Sequence, residues 1–130
     1  MTKNLLIVGA GVEACEGIRI AKEMGLKLVI ADGNPSAPGL AMADWPIIAS
    51  TYDGQAILAE VKKLQTQGVN IDGAIAMCAD VPLSVAIVSN DLGLPGLSLE
   101  SAFWVSDKLA MKKRLQAEGI PIPRFADVSD

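Results

Sequence analysis

Apolar positions along the chain form two kinds of pattern, which together predict strands separated by helices. Short continuous aliphatic runs, such as Leu5–Val8, are typical of strands that are buried on both faces of a sheet. In segments such as Val12–Met24, apolar residues recur instead at helical spacing among charged ones. The patterns predict strands at Leu5–Val8, Leu26–Ala31, Pro46–Ile48, Gly73–Met77 and Leu94–Leu97, and helices at Val12–Met24, Asp53–Gln67, Val81–Leu92 and Ser106–Glu118.

The order of these elements predicts an α/β fold. Strands that are separated by helices run parallel, and right-handed crossovers then cover both faces of the sheet. We therefore expect a doubly wound, open parallel sheet of four to five strands with helices on both faces, as in Rossmann-like domains. The α/β domain is predicted at residues 1–118. The proline-containing residues 119–130 are predicted to be a linker at the start of a further domain outside this chain.

Composition excludes several classes of function. The net charge is −4 and there is no strongly basic face, so nucleic acid is not an expected partner. No apolar run reaches membrane length and no leader pattern precedes the first strand, so we expect a cytoplasmic protein without a membrane partner. Histidine is absent, and no metal site is predicted. The two cysteines, Cys15 and Cys78, are expected to be reduced and buried.

A glycine-rich turn follows the first predicted strand. Gly9-Ala10-Gly11 with Ala14 matches the dinucleotide pattern G-x-G-x-x-A, in which glycines permit a tight turn before a helix. Asp32 ends the second strand, where an acidic residue would bind a ribose hydroxyl. These residues alone favour an NAD(P)-binding domain of a dehydrogenase or redox-sensing regulator, although such glycines can also serve packing. Glu13 argues against that function, because its charge competes with a pyrophosphate for the same backbone amides.

Several short motifs carry a resemblance to a known superfamily. Ser106-Asp107-Lys108 opens a helix that ends in the Gly-Ile-Pro-x-Pro turn of residues 119–123, and this segment resembles the junction segment of the ATP-grasp superfamily. Residues 32–35 (Asp-x-Asn-Pro), 43–44 and 51–53 fit its pre-ATP-grasp domain. The whole chain therefore resembles the N-terminal, pre-ATP-grasp domain of an ATP-grasp ligase, in a group similar to the carbamoyl-phosphate synthase large subunit.

The resemblance implies a function for the longer protein. ATP-grasp ligases use Mg-ATP to convert a carboxylate to an acyl phosphate, which an amine or similar nucleophile then attacks. This chain would be the substrate-side domain, inactive alone and without a tightly bound cofactor, and its partner would be a small-molecule carboxylate or amine. Lys108 is implied to contact ATP phosphate. The residues implied or expected to face substrate are Gly9, Gly11, Glu13, Asp32 and Asp80, and no catalytic residue is assigned.

Structural roles are the alternatives for the same positions. Asp107 is expected at a helix N-terminus, and Asp80 is expected to cap the third predicted helix unless it contacts substrate. Residues 112–114 (Lys-Lys-Arg) form either a solvated helix face or a surface toward the further domain. A third interpretation is a non-catalytic interaction domain that has kept the fold. The high apolar fraction, 51%, also predicts exposed apolar surface and hence a homodimer.

Overall fold

The computed structural model describes residues 1–128, which form a parallel sheet flanked by helices. The strands are β1 Asn4–Val8, β2 Lys27–Asp32, β3 Trp45–Ile48 and β4 Gly73–Ile75. The α-helices are α1 Cys15–Glu23, α2 Gly54–Thr66, α3 Pro82–Asp91, α4 Leu99–Ser106 and α5 Lys108–Ala117. Short 3-10 helices lie at Val12–Ala14 and Pro38–Met42. Among these residues no helix is both long and apolar enough to cross a membrane.

The sheet is parallel throughout, in the order β3-β2-β1-β4. From β1 the chain moves through β2 to β3 on one side, and it then returns to place β4 on the other side of β1. Open α/β sheets bind their ligands where the strand order reverses in this way, outside the carboxyl ends of the strands. A ligand site is therefore expected at the carboxyl ends of β1 and β4.

Apolar residues of the sheet contribute to two separate hydrophobic cores, one on each face of the sheet. Leu6, Val8 and Val29 pack with residues of α2 and α3, including Ile57 and Val88. The side chains that alternate with them on β1 and β2 pack on the opposite face with α1. Leu6, Val8 and Val29 are fully buried, as are Ile7, Leu28 and Ile30 of the opposite face, which agrees with the continuous aliphatic runs. The predicted α/β fold with helices on both faces is confirmed.

Two aspartates hold the amino ends of neighbouring strands together. Asp72 accepts the backbone amide of Asn4 at 2.8 Å and pairs with Lys3 at 2.8 Å, which joins β4 to β1. In the same way Asp44 accepts the Leu28 amide at 2.9 Å and pairs with Lys27 at 2.8 Å, which joins β3 to β2. These clamps lie at the edge of the sheet opposite the carboxyl ends.

Some predicted elements differ from those observed. Leu94–Leu97 is not a strand: Pro95 and Gly96 bend the backbone there, and the Asn90 amide group binds the Leu97 carbonyl at 2.8 Å. The sequence patterns also do not predict α4, a helix whose N-terminus is capped by the Ser98 hydroxyl, which accepts the amide of Ser101. β4 ends two residues earlier than predicted, and a 3-10 turn precedes α1. Two positions of the predicted linker, 129 and 130, lie outside the described residues.

Candidate functional site

The glycine loop, residues 9–11, lies at the carboxyl end of β1, where the strand order reverses. Gly9 has a φ of 99°, which side-chain-bearing residues rarely adopt, and its amide binds the Ala31 carbonyl at 2.8 Å. A Cβ built on Gly9 would lie 3.0 Å from the Cβ of Ala79, in the segment after β4. The turn and the close approach of the β4 segment therefore both favour glycine at this position.

Asp32 joins this loop to the turn that follows β2. One carboxylate oxygen accepts the Ala10 amide at 2.7 Å, and the other accepts the Asn34 amide at 2.8 Å. The bond to the Ala10 amide is partly buried, whereas the bond to the Asn34 amide is exposed. The carboxylate that a dinucleotide site would direct at a ribose hydroxyl thus binds backbone amides of the protein.

Glu13 brings a negative charge onto the same loop. A Cβ built on Gly11 would lie only 2.7 Å from a carboxylate oxygen of Glu13, so the side chain folds back over that glycine. Glu13 is exposed and belongs to the 3-10 turn that precedes α1. An anion at this loop would meet the carboxylate before it reached the helix amides. The loop therefore favours a cation or a hydrogen-bond donor over a phosphate.

The segment after β4 packs across the glycine loop. The Cys78 thiol donates to the Glu13 carbonyl at 3.1 Å, and Ala79 contacts Gly9 as described. Both cysteines are free, as expected. The expected burial of Cys78 is wrong, because the short β4 ends before it and leaves it exposed at the edge of the sheet; Cys15 is half-buried. The sequence patterns do not predict this contact, which follows from the adjacency of β1 and β4 in the sheet.

Asp80 does not cap α3, so that prediction is wrong. The helix begins at Pro82, its N-terminal cap is Val81, and no side chain caps it. Among residues 1–128, Asp80 makes no hydrogen bond or salt bridge within the protein, and it is exposed. Its side chain lines two grooves, of about 450 Å³ and 180 Å³. A contact between Asp80 and substrate stays a prediction.

Lys108 is on the first turn of α5, a helix that packs mainly against α4. The Asp107 carboxylate accepts the Ala110 amide at 2.9 Å, which confirms its place at the helix N-terminus. Two nearby cations have partners: Lys113 pairs with Asp127 at 2.8 Å, and Arg114 lies over the Trp104 ring. Lys108 is exposed and forms no salt bridge among the described residues, so its ammonium group is accessible.

The structure thus brings the glycine loop, Glu13 and Asp32 together and places Asp80 after the neighbouring strand. Acidic side chains do not gather there as metal ligands would. In the described part of the chain, no group of three or more Cys, Asp or Glu side chains is arranged to hold a metal ion. The chemistry that this edge offers is hydrogen bonding and attraction of cations.

Solved structures of larger proteins share this fold. Phosphoribosylglycinamide synthetase from Anaerococcus prevotii is 30% identical, with a TM-score of 0.77, over 92% of this chain and 30% of that protein. N5-carboxyaminoimidazole ribonucleotide synthetase from Thermotoga maritima is 25% identical, with a TM-score of 0.72, over 99% of this chain and 34% of that protein. N5-carboxyaminoimidazole synthetase from Staphylococcus aureus, solved as a complex with ADP, is 19% identical, with a TM-score of 0.67, over 92% of this chain and 31% of that protein.

The matched region of these proteins is the N-terminal domain. The predicted resemblance to the N-terminal domain of an ATP-grasp ligase is confirmed. The chain spans about a third of the length of the ATP-grasp proteins that it matches. No protein-family model matches the chain, and no curated protein matches it significantly.

Proposed function

We propose that this chain is the N-terminal, substrate-side domain of an ATP-dependent carboxylate–amine or related ligase that acts through an acyl phosphate. One observation carries the proposal: 92% of the chain matches about a third of a synthetase at 30% identity. Small-molecule carboxylates or amines are the proposed substrates. The chain alone has no ligase activity, because most of the ATP-binding residues that the resemblance implies belong to later domains.

The arrangement of the site supports a substrate role over the dinucleotide alternative. A pyrophosphate needs free amides and a site without competing anions at a glycine loop. Here the Ala10 amide already binds Asp32, and the Glu13 carboxylate covers Gly11. A substrate that carries an ammonium group or hydroxyls suits the same surface. Gly9, Gly11 and Glu13 are proposed to face it, while Asp32 holds the loop that they form.

ATP and magnesium are proposed as the cofactors of the longer protein. ATP supplies the phosphoryl group that activates a carboxylate, and a lysine stabilises the charge on the transferred group. Lys108 fits this task, since it is exposed and has no salt-bridge partner in residues 1–128. Similarity to the carbamoyl-phosphate synthase large subunit and a cytoplasmic location are proposed too. The two free cysteines support that location, because thiols stay reduced in the cytoplasm.

Release of ADP tests the proposal. The assay compares this chain with the longest polypeptide that its gene encodes, with Mg-ATP and panels of carboxylates and amines. We expect ADP only from a longer polypeptide, only with substrate present, and at least about tenfold less with Lys108→Ala. Lys62→Ala, on α2, is the matched control. Substrate-dependent ADP release by the 130-residue chain, or a longer polypeptide that fails to bind Mg-ATP in calorimetry, would contradict the proposal.

A homodimer is a further part of the proposal. Large apolar side chains are exposed on α1 and directly after it: Ile20 and Met24 are 45% and 71% accessible. Burial of such surface in a symmetric contact would favour association. Light scattering over a range of concentrations is expected to show a dimer, and Ile20→Glu is expected to weaken it. A monomer at the highest concentrations would contradict this prediction.

A further inference from the structure

We propose that the larger groove beside β4 binds an apolar primary amine, with the hydrocarbon in the groove and the ammonium group on Asp80. The inference deepens the proposed function, and it rests on that function for the identity of the amine as the attacking nucleophile. It concerns binding alone and assigns no covalent step to Asp80.

The groove is built from several parts of the chain that meet at the edge of the sheet formed by β4. β4 contributes Ile75, the segment before α4 contributes Leu97, and the far end of α4 contributes Val105. Together with Val85 of α3 they surround a volume of about 450 Å³. That size suits a small organic molecule, since ligand sites are typically mostly apolar clefts of about 300–1,000 Å³.

Large aliphatic side chains stay accessible inside this groove. Ile75, Leu97 and Val105 are 42%, 49% and 41% exposed, although all three are bulky enough to fill a core. Covering them with a hydrocarbon would remove apolar surface from water, which is the general driving force for such binding. The groove therefore has affinity for an apolar group of modest size.

The Asp80 carboxylate determines which polar group the ligand carries. Asp80 is the only ionisable side chain among the described residues that line the groove, and it makes no hydrogen bond or salt bridge within residues 1–128. The net charge of the chain is −4, so the surroundings add to the attraction of a cation and disfavour a carboxylate. A primary ammonium group donates three hydrogen bonds and would satisfy the free carboxylate oxygens.

The position of Asp80 also joins the groove to a smaller one. That second groove, of about 180 Å³, is lined by Asp80, Tyr52 and Ser106. The hydroxyl groups of Tyr52 and Ser106 can bind a polar substituent. Asp80 stands in the segment after β4 whose Ala79 contacts Gly9. An ammonium group on Asp80 would thus lie at the carboxyl edge of the sheet, beside the glycine loop.

Titration of the ¹⁵N-labelled chain, followed by NMR, tests the inference with three probes of similar shape. They are 2-phenylethylamine, its neutral analogue 2-phenylethanol, and 3-phenylpropionate. We expect the amine to bind with a Kd on the order of millimolar and to shift the amides of Ile75 and Leu97. The alcohol is expected to bind about fivefold more weakly, and the carboxylate more weakly still.

Variants separate the charge from the apolar contact. Asp80→Asn is expected to weaken amine binding about fivefold and to leave the alcohol unchanged. Glu100→Gln is the control, because Glu100 is exposed and lines neither groove. It is expected to leave the affinities for the amine and the alcohol unchanged. Leu97→Ala is expected to weaken both probes. Equal affinity for amine and carboxylate, or amide shifts confined to other surfaces, would overturn the inference.

The outcomes also distinguish the inference from the proposed function. Amine binding at Asp80, together with a longer polypeptide that binds no Mg-ATP, would contradict the ligase function and leave the amine site standing. Substrate-dependent ADP release by the longer polypeptide, together with no amine binding in this groove, would overturn the inference alone.

Discussion

The Asp32 carboxylate accepts the backbone amide of Ala10 at 2.7 Å, so the end of β2 holds the glycine loop at the end of β1. Its second oxygen accepts the amide of Asn34 at 2.8 Å, which fixes the following turn as well. The shape of the candidate site therefore depends on a side chain whose role is to position the loop.

Removal of the Asp32 carboxylate is expected to destabilise the chain. Asp32→Ala leaves the partly buried Ala10 amide and the exposed Asn34 amide without their acceptor. We expect a loss of about 1–3 kcal/mol in unfolding free energy, measured by urea denaturation, with the Ala10 amide responsible for most of it. Asp91→Ala is the control. Among residues 1–128 the Asp91 side chain pairs only with Lys62, at an exposed position, so its loss should change the unfolding free energy by less than about 1 kcal/mol. Equal losses in the two variants would show that Asp32 does not hold the loop.

The packing of α2 against α3 is expected to tolerate no side chain at Gly54. A Cβ built there would lie 2.8 Å from the Cα of Ser84, so Gly54→Ala must push the helices apart. We expect a loss of about 1–3 kcal/mol in unfolding free energy. Gln55→Ala, at an exposed position in the same turn, should change it by less than about 0.5 kcal/mol. A neutral or stabilising Gly54→Ala would contradict the close approach.

Acid is expected to weaken the clamps at the opposite edge of the sheet. Hydrogen bonds from Lys3 and the Asn4 amide lower the pKa of Asp72. Burial opposes the shift at Asp44, yet hydrogen bonds from Lys27 and the Leu28 amide still hold its pKa below the usual value.

Because both pKa values are lowered by folding, these carboxylates stabilise the fold above about pH 4, and the stabilisation is lost as the pH falls further. Urea denaturation between pH 7 and pH 2.5 should show this loss. The double variant Asp44→Asn/Asp72→Asn should be less stable at pH 7 and less sensitive to acid. An unchanged acid sensitivity in the double variant would contradict the assignment.

Much of the sheet could be predicted from the sequence, because strands buried on both faces leave continuous aliphatic runs such as that of β1. The helix α4 could not, since its residues Leu99–Ser106 are mostly apolar and lack the alternation of charged and apolar faces that marks α2. Leu94–Leu97 looked like a strand for the same reason, as a short apolar run does not reveal whether its backbone pairs.

The candidate site was predictable in its location but not in its bonds. A glycine turn after β1 and an acidic residue after β2 must lie at one edge of a parallel sheet, so Gly9 and Asp32 could be placed together. The partner of Asp32 could not be known, because a backbone amide and a ribose hydroxyl are both donors within its reach. An acidic residue directly before a predicted helix favours capping over substrate contact for Asp80, whereas the observed helix begins at Pro82 with Val81 as its N-terminal cap.

Thermal unfolding of the chain with NADH, NADPH and Mg-ATP tests most directly whether this domain serves a ligase substrate or a dinucleotide. A ligand bound only by the folded state adds about 2.7 kcal/mol at a hundredfold excess over its Kd, which would raise the Tm by roughly 10 °C. We predict no rise with either dinucleotide, for the natural chain or for Glu13→Gln, and little or none with Mg-ATP. A clear rise with NADH or NADPH would contradict the ligase function and establish a dinucleotide-binding domain.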